Sequence, residues 1–130
     1  MATDAAIRSY KDLRVWREAM DLAKACYRMS ACFPRDEACG LAEEVMRSAV
    51  SVPASIAQGF DSGHKDFHVQ LLQAARGSLK RLETHLILAE RVAVTSAKAT
   101  TPILAHCQDI GQILDQLIRS LQRHGTTDTQ

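Results

Sequence analysis

Ile103, Cys107, Ile110, Leu114, Leu117 and Leu121 repeat at steps of four and three without a miss. A β-strand, with its period of two, would scatter those residues over both faces, whereas an α-helix collects them into one seam suited to packing against a nearly parallel axis. Three earlier stretches carry the same spacing. Leu13, Trp16, Met20, Ala23 and Tyr27 mark one side of a first helix, while Arg14, Arg17, Glu18, Asp21, Lys24 and Arg28 fall mostly elsewhere. Leu41, Val45, Ser48, Ala49, Val52 and Ile56 mark a second, and Leu71, Leu72, Ala75, Leu79, Leu82, Leu86 and Ala89 mark a third, running from about Lys65 to Val92. With short connections and no strand signal, the pattern predicts an all-α fold. Its form is an antiparallel up-down-up-down four-helix bundle in one domain, residues 1–125, with a disordered tail at 126–130.

Helix boundaries follow from residues that start or stop the backbone ladder. Asp12 can cap the first helix by accepting from free amides of its first turn, and Pro34 disfavours helical geometry at Phe33, so the helix ends near Cys32. Glu43 and Glu44 suit the positive end of the second helix. Pro53 cannot donate to the carbonyl of Ala49, which predicts a kink there, with Ser51 and Ser55 able to bond back to carbonyls; a break before Pro53 is the alternative. Gly59 reads as a left-handed stop, and Asp61, Ser62 and Gly63 as the next turn. Gly77 sits inside the third helix, where a close backbone approach would offset its entropic cost. Thr101-Pro102 reads as an N-cap followed by proline in the first helical position. Trp16, the sole tryptophan, reads as a core anchor.

Charge narrows the range of functions. Sixteen Lys and Arg against fifteen Asp and Glu leave a formal charge of +1, spread evenly along 130 residues. That balance weighs against strong non-specific nucleic-acid binding by one subunit, since such affinity grows with the number of phosphates neutralised. The N-terminus lacks a signal-peptide pattern, and the charge-free run Ser48 to Phe60 is too short to span a bilayer, which predicts a soluble, cytoplasmic protein without a membrane partner. Cys26, Cys32, Cys39 and Cys107 form no C-x-x-C pair and read as buried or half-buried thiols.

Few residues carry chemistry. Arg76 and Lys80 share a helix face at i and i+4, with Arg81 beside them and no acid between Arg76 and Glu83, so they form the candidate nucleic-acid patch. The competing reading is a solvated face, or Arg76 bridging to an acid on a neighbouring helix such as Glu43 or Glu44. His64 and His68 have a spacing from which two imidazoles can hold a metal, but no third ligand lies at a helical step. No phosphate-binding glycine loop or ordered catalytic triad is present, and neither enzyme activity nor a cofactor is expected. Met46, Val50, Ala57, Ile87, Leu88, Ile113 and Ile118 lie off or beside the main seams and are candidates for an oligomer interface.

Three blocks carry a family resemblance: K-D-L-R-V-W-R-E-A at 11–19, R-S-A-V-S-V-P-A-S-I-A-Q-G-F at 47–60 and A-R-G-S-L-K-R-L-E-T-H-L at 75–86. In order and spacing the chain resembles the four-helix bundle proteins encoded in 23S rRNA intervening sequences, with Trp16, Pro53, Gly59, Gly77 and Glu83 among the signature positions. The resemblance implies a homopentamer and contact with RNA or an RNA-handling partner. Fold-related accessory proteins of diversity-generating retroelements bind nucleic acid and a reverse transcriptase. It does not imply catalysis. The chain departs from the family pattern at Ser55 and Gln58, where the family more often has asparagine and glutamate, and at Lys80-Arg81, where an acidic residue is more usual.

Overall fold

The computed structural model describes residues 6–36 and 38–128, with side chains described as far as Arg123. Four helices make up the fold: α1 (Arg14–Ser30), α2 (Leu41–Asp61), α3 (Lys65–Arg91) and α4 (Ala97–Asp128). Each packs on two neighbours in the cycle α1, α2, α3, α4, most extensively α2 on α3. Contacting residues run in opposite senses along neighbouring helices. Ser51 meets Ser78, while Gly59 lies against Leu71 and His68; Arg76 meets Asp115, and Glu90 meets Thr100.

The entry to α1 differs from expectation. A short 3-10 turn, Tyr10–Asp12, precedes it, and Ser9 caps that turn through its hydroxyl while Asp12 Oδ2 accepts from the amides of Arg8 (3.0 Å) and Ser9 (3.2 Å). Asp12 therefore closes a capping box one turn early, and Leu13 takes the N-cap position of α1. The buried face is also rotated by one residue, to Val15, Ala19, Leu22 and Cys26. Small Ala19 and Cys26 are fully buried at its centre, a side-chain size that permits close helix packing. The larger residues of the predicted stripe flank them. Trp16 is half-buried and edge-on to Tyr10 at 5.2 Å between centroids, while Met20 and Tyr27 are exposed.

Helix α2 is continuous through Pro53, so the chain does not break there. The Ser51 hydroxyl donates to the Ser48 carbonyl at 2.9 Å and lies 2.6 Å from the Ser78 hydroxyl on α3. Gly59 does not stop the helix, which runs to Asp61. A β-carbon there would stand 3.0 Å from Leu71 Cβ, so glycine serves close helix approach. The left-handed turn residue is Gly63, at φ 75°. Gly77 shows the reverse: nothing lies within 4 Å of a β-carbon at that position, and the expected close approach is absent.

Helix α4 begins at Ala97, with Ser96 Oγ 3.3 Å from the Ala99 amide, so Thr101 and Pro102 lie inside the helix. The predicted start came a turn late because fully buried Thr100 donates to Glu90 Oε1 at 2.6 Å and ties the first turn to α3. Ile103, Cys107, Ile110 and Leu114 are buried as the seam predicts, but Ile118 replaces Leu117 beyond them. The helix continues past Gly125 to Asp128, beyond the predicted start of the tail, since one glycine near a helix end lowers stability by only about 1 kcal/mol; Thr129 and Gln130 lie outside the described residues.

Candidate assembly and nucleic-acid surfaces

The α3 cations are drawn into local pairs. Arg76 Nε lies 2.8 Å from Asp115 Oδ1 on α4, and Lys80 Nζ lies 3.4 Å from Glu83 Oε1 one turn along its own helix. Asp115, rather than Glu43 or Glu44, is the acid that meets Arg76. These residues rim a cleft between α3 and α4 floored by Leu79, Cys107 and Gly111. Arg81 stands apart, since consecutive residues are separated by about 100° around a helix, and it is exposed. The three residues thus make no single cationic face.

Other cations occupy the solvent side of α1. Arg17, Lys24 and Arg28 are exposed and fall within about 40° of one line along the helix, rising about 10.5 Å and then 6 Å. Arg17 donates to the Asp12 carbonyl at 3.4 Å. Among the described residues, no carboxylate forms an ion pair with any of the three. Sequence reading passed over them because Glu18 and Asp21 interrupt the run. Glu18 turns instead toward α4, where its Oε1 lies 2.6 Å from His106 Nε2.

The interface candidates separate into three groups. Ile118 is 6% exposed and belongs to the bundle's own core, so it offers no free surface to another subunit. Met46, Ala57 and Ile113 are half-buried, and Met46 and Ile113 pack against the core. Val50 is 49% exposed, and Ile87 and Leu88 are also open. Met46 and Val50 line a surface groove with Glu43, Arg47 and Ser51. On α1, Met20 at 44% and Tyr27 at 65% join the exposed apolar set. Sequence reading missed both because it assigned them to the core. Two apolar stripes on one helix were the available signal.

The titratable residues divide by burial. His68 is half-buried against the Phe60 ring at 6.2 Å, and desolvation lowers its pKa below the ordinary histidine value. His64 is the exposed N-cap residue of α3, and no group of three metal-ligating side chains occurs among the described residues. Burial pushes the Cys26 and Cys107 thiols up to about 12. Cys32 and Cys39 are exposed, against the expectation of burial, because they flank the α1–α2 connection. No described helix is long and apolar enough to cross a membrane.

These features define a small all-α four-helix bundle whose open surfaces include exposed apolar side chains on α1, α2 and α3 and a line of cations on α1. The chain belongs to the 23S rRNA-intervening sequence protein family, whose model matches residues 11–116. No curated protein matches it significantly.

Proposed function

We propose that this chain is a non-enzymatic, homo-oligomeric helical scaffold, pentameric as the family resemblance implies, that presents repeated surfaces to structured RNA or to an RNA-handling partner. The observation that carries the reading is the set of large apolar side chains left open on the adjoining helices α1 and α2, where Met20, Tyr27 and Val50 are exposed and Met46 is half-buried. Large exposed apolar residues grouped on one side of a small domain are characteristic of protein contact. Repetition then supports an RNA role: a subunit of net charge +1 offers few phosphate contacts, while a closed ring multiplies them.

A scaffold with no nucleic-acid role is the second reading. It is favoured by the pairing of Arg76 with Asp115 and of Lys80 with Glu83, which removes the most apparent phosphate site. Sedimentation of the purified protein with and without a structured RNA separates the two. A discrete oligomer that shifts with RNA at low salt is expected. An oligomer that never shifts supports the second reading, and a monomer contradicts both.

A further inference from the structure

We infer that α1 carries an RNA site in which Arg17, Lys24 and Arg28 hold backbone phosphates while the groove between α1 and α4 takes one unpaired base. The inference rests on the RNA-contact reading above and gives it a location. Among the described residues Arg17, Lys24 and Arg28 form no ion pair and lie exposed along one face of α1, which also carries exposed Asp21 and so keeps a net charge of +2, whereas Arg76 and Lys80 on α3 are each paired with a carboxylate. Arg28, at the end of that line, also lines a groove of about 460 Å³. That size falls within the roughly 300–1,000 Å³ typical of small-ligand pockets.

The rest of the groove suits a planar ring. Ala25 and Met29 form its α1 side, Cys32 closes it just beyond that helix, Ala99 and Ile103 form its α4 side, and Thr95 adds a hydroxyl. Unpaired nucleotides of structured RNA present such a ring beside a phosphate, and proteins read them by apolar contact and by hydrogen bonds to base edges. An acidic peptide would meet the cations but has no base for the groove. A vesicle surface would meet the cations but cannot enter a cleft between two helices.

The groove end of the site lies apart from the proposed assembly surface, while Lys24 borders it one turn from Met20. Around α1, Met20 and Tyr27 flank the buried face on the side of Trp16 and Ala23, while Arg28 adjoins the α4-facing side with Met29. Assembly therefore leaves the groove open, and each copy in an oligomer contributes one site.

The test uses the full chain and two labelled RNA hairpins, one with a single-nucleotide bulge and one fully paired, titrated by fluorescence anisotropy from about 50 to 200 mM salt. Tighter binding of the bulged hairpin is expected. Lys24→Glu with Arg28→Glu should weaken both and flatten the log–log salt slope by about 1.5–2, as expected for two lost phosphate contacts. Ala99→Phe, which narrows the groove from half-exposed Ala99, should abolish the bulge preference and keep binding of the paired hairpin. The bulged hairpin should also slow alkylation of Cys32 but not of exposed Cys39.

An unchanged salt slope in the α1 variant, with circular dichroism confirming its fold, overturns the site. Equal labelling of Cys32 with and without RNA also overturns it, as does binding of polyglutamate or anionic vesicles as tight as that of the bulged hairpin. Binding lost in Arg76→Ala with Lys80→Glu but kept in the α1 variant overturns this site and leaves the RNA reading intact. Absence of RNA binding at low salt by the unaltered protein overturns both.

Discussion

Gly59 of α2 and Leu71 of α3 approach so closely that a β-carbon on Gly59 would stand 3.0 Å from Leu71 Cβ and 3.3 Å from the His68 carbonyl oxygen. Neither obstacle can rotate away. Gly59→Ala is expected to push the helices apart and lose about 1–3 kcal/mol, read as a lower urea midpoint with unchanged slope. Unaltered stability would show that the helix spacing is not set at this contact.

Gly77 supplies the opposite case, because its missing β-carbon faces open space. Gly77→Ala is expected to stabilise the protein by about 1 kcal/mol through helix propensity alone. A loss would mean that another chain in the assembly approaches α3 there, and dilution series on the variant would reveal it.

The Thr100 hydroxyl joins the first turn of α4 to Glu90 at 2.6 Å. Thr100→Val keeps the shape, removes the donor and leaves Glu90 short of a partner, for an expected loss of about 1–3 kcal/mol. Glu90 is half-buried and can turn partly to water, so the lower end is expected. Urea unfolding of the variant measures it.

Stability should decline on both sides of neutrality, for different reasons. Desolvation lowers the folded pKa of His68, so below about 6.5 the unfolded chain takes up the proton first and stability falls with pH. His68→Gln should flatten that acid limb. At the alkaline end, Cys26 and Cys107 are pushed from 9.0 to about 12, so the unfolded thiols ionise first and stability falls from about pH 9 upward. Cys26→Ala should be less stable at pH 7 and yet show a shallower alkaline decline. Unfolding midpoints across pH check both limbs, and parallel curves for variant and parent would contradict the assignments.

Thiol reactivity should be biphasic. Cys32 and Cys39 are exposed, whereas Cys26 and Cys107 are buried and raised far above neutral pH. Two thiols should therefore be modified quickly in native protein and the other two only as fast as the fold opens. Mass spectrometry after brief alkylation would identify them; fast modification of Cys107 would contradict the packing of α1 against α4.

Much of the bundle was legible in the sequence. Period and length fixed the four helices, and the α3 stripe from Leu72 to Ala89 is buried as read. What escaped depended on neighbours. Ala19 and Cys26 are buried on α1 while Trp16, Met20 and Tyr27 flank them, a choice invisible in sequence because the flanking stripe is the bulkier one. Gly59 and Gly77 look alike in sequence, and only the position of α3 distinguishes them. Arg76 likewise looked free until α4 brought Asp115 within 2.8 Å. The α1 cations needed the opposite correction, since Glu18 turns to His106 on α4 and Asp21, on the same face, forms no ion pair with them among the described residues.

The central claim is self-association through the α1–α2 flank, and light scattering on the purified chain, beside Met20→Asp with Val50→Asp, tests it most directly. Both substituted side chains are exposed in the single chain, so the variant should keep its helical circular dichroism. The account predicts a discrete oligomer for the parent, a pentamer of 14.3 kDa subunits, and a folded monomer for the variant. A parent that scatters as a monomer, or a variant whose mass is unchanged, would contradict it.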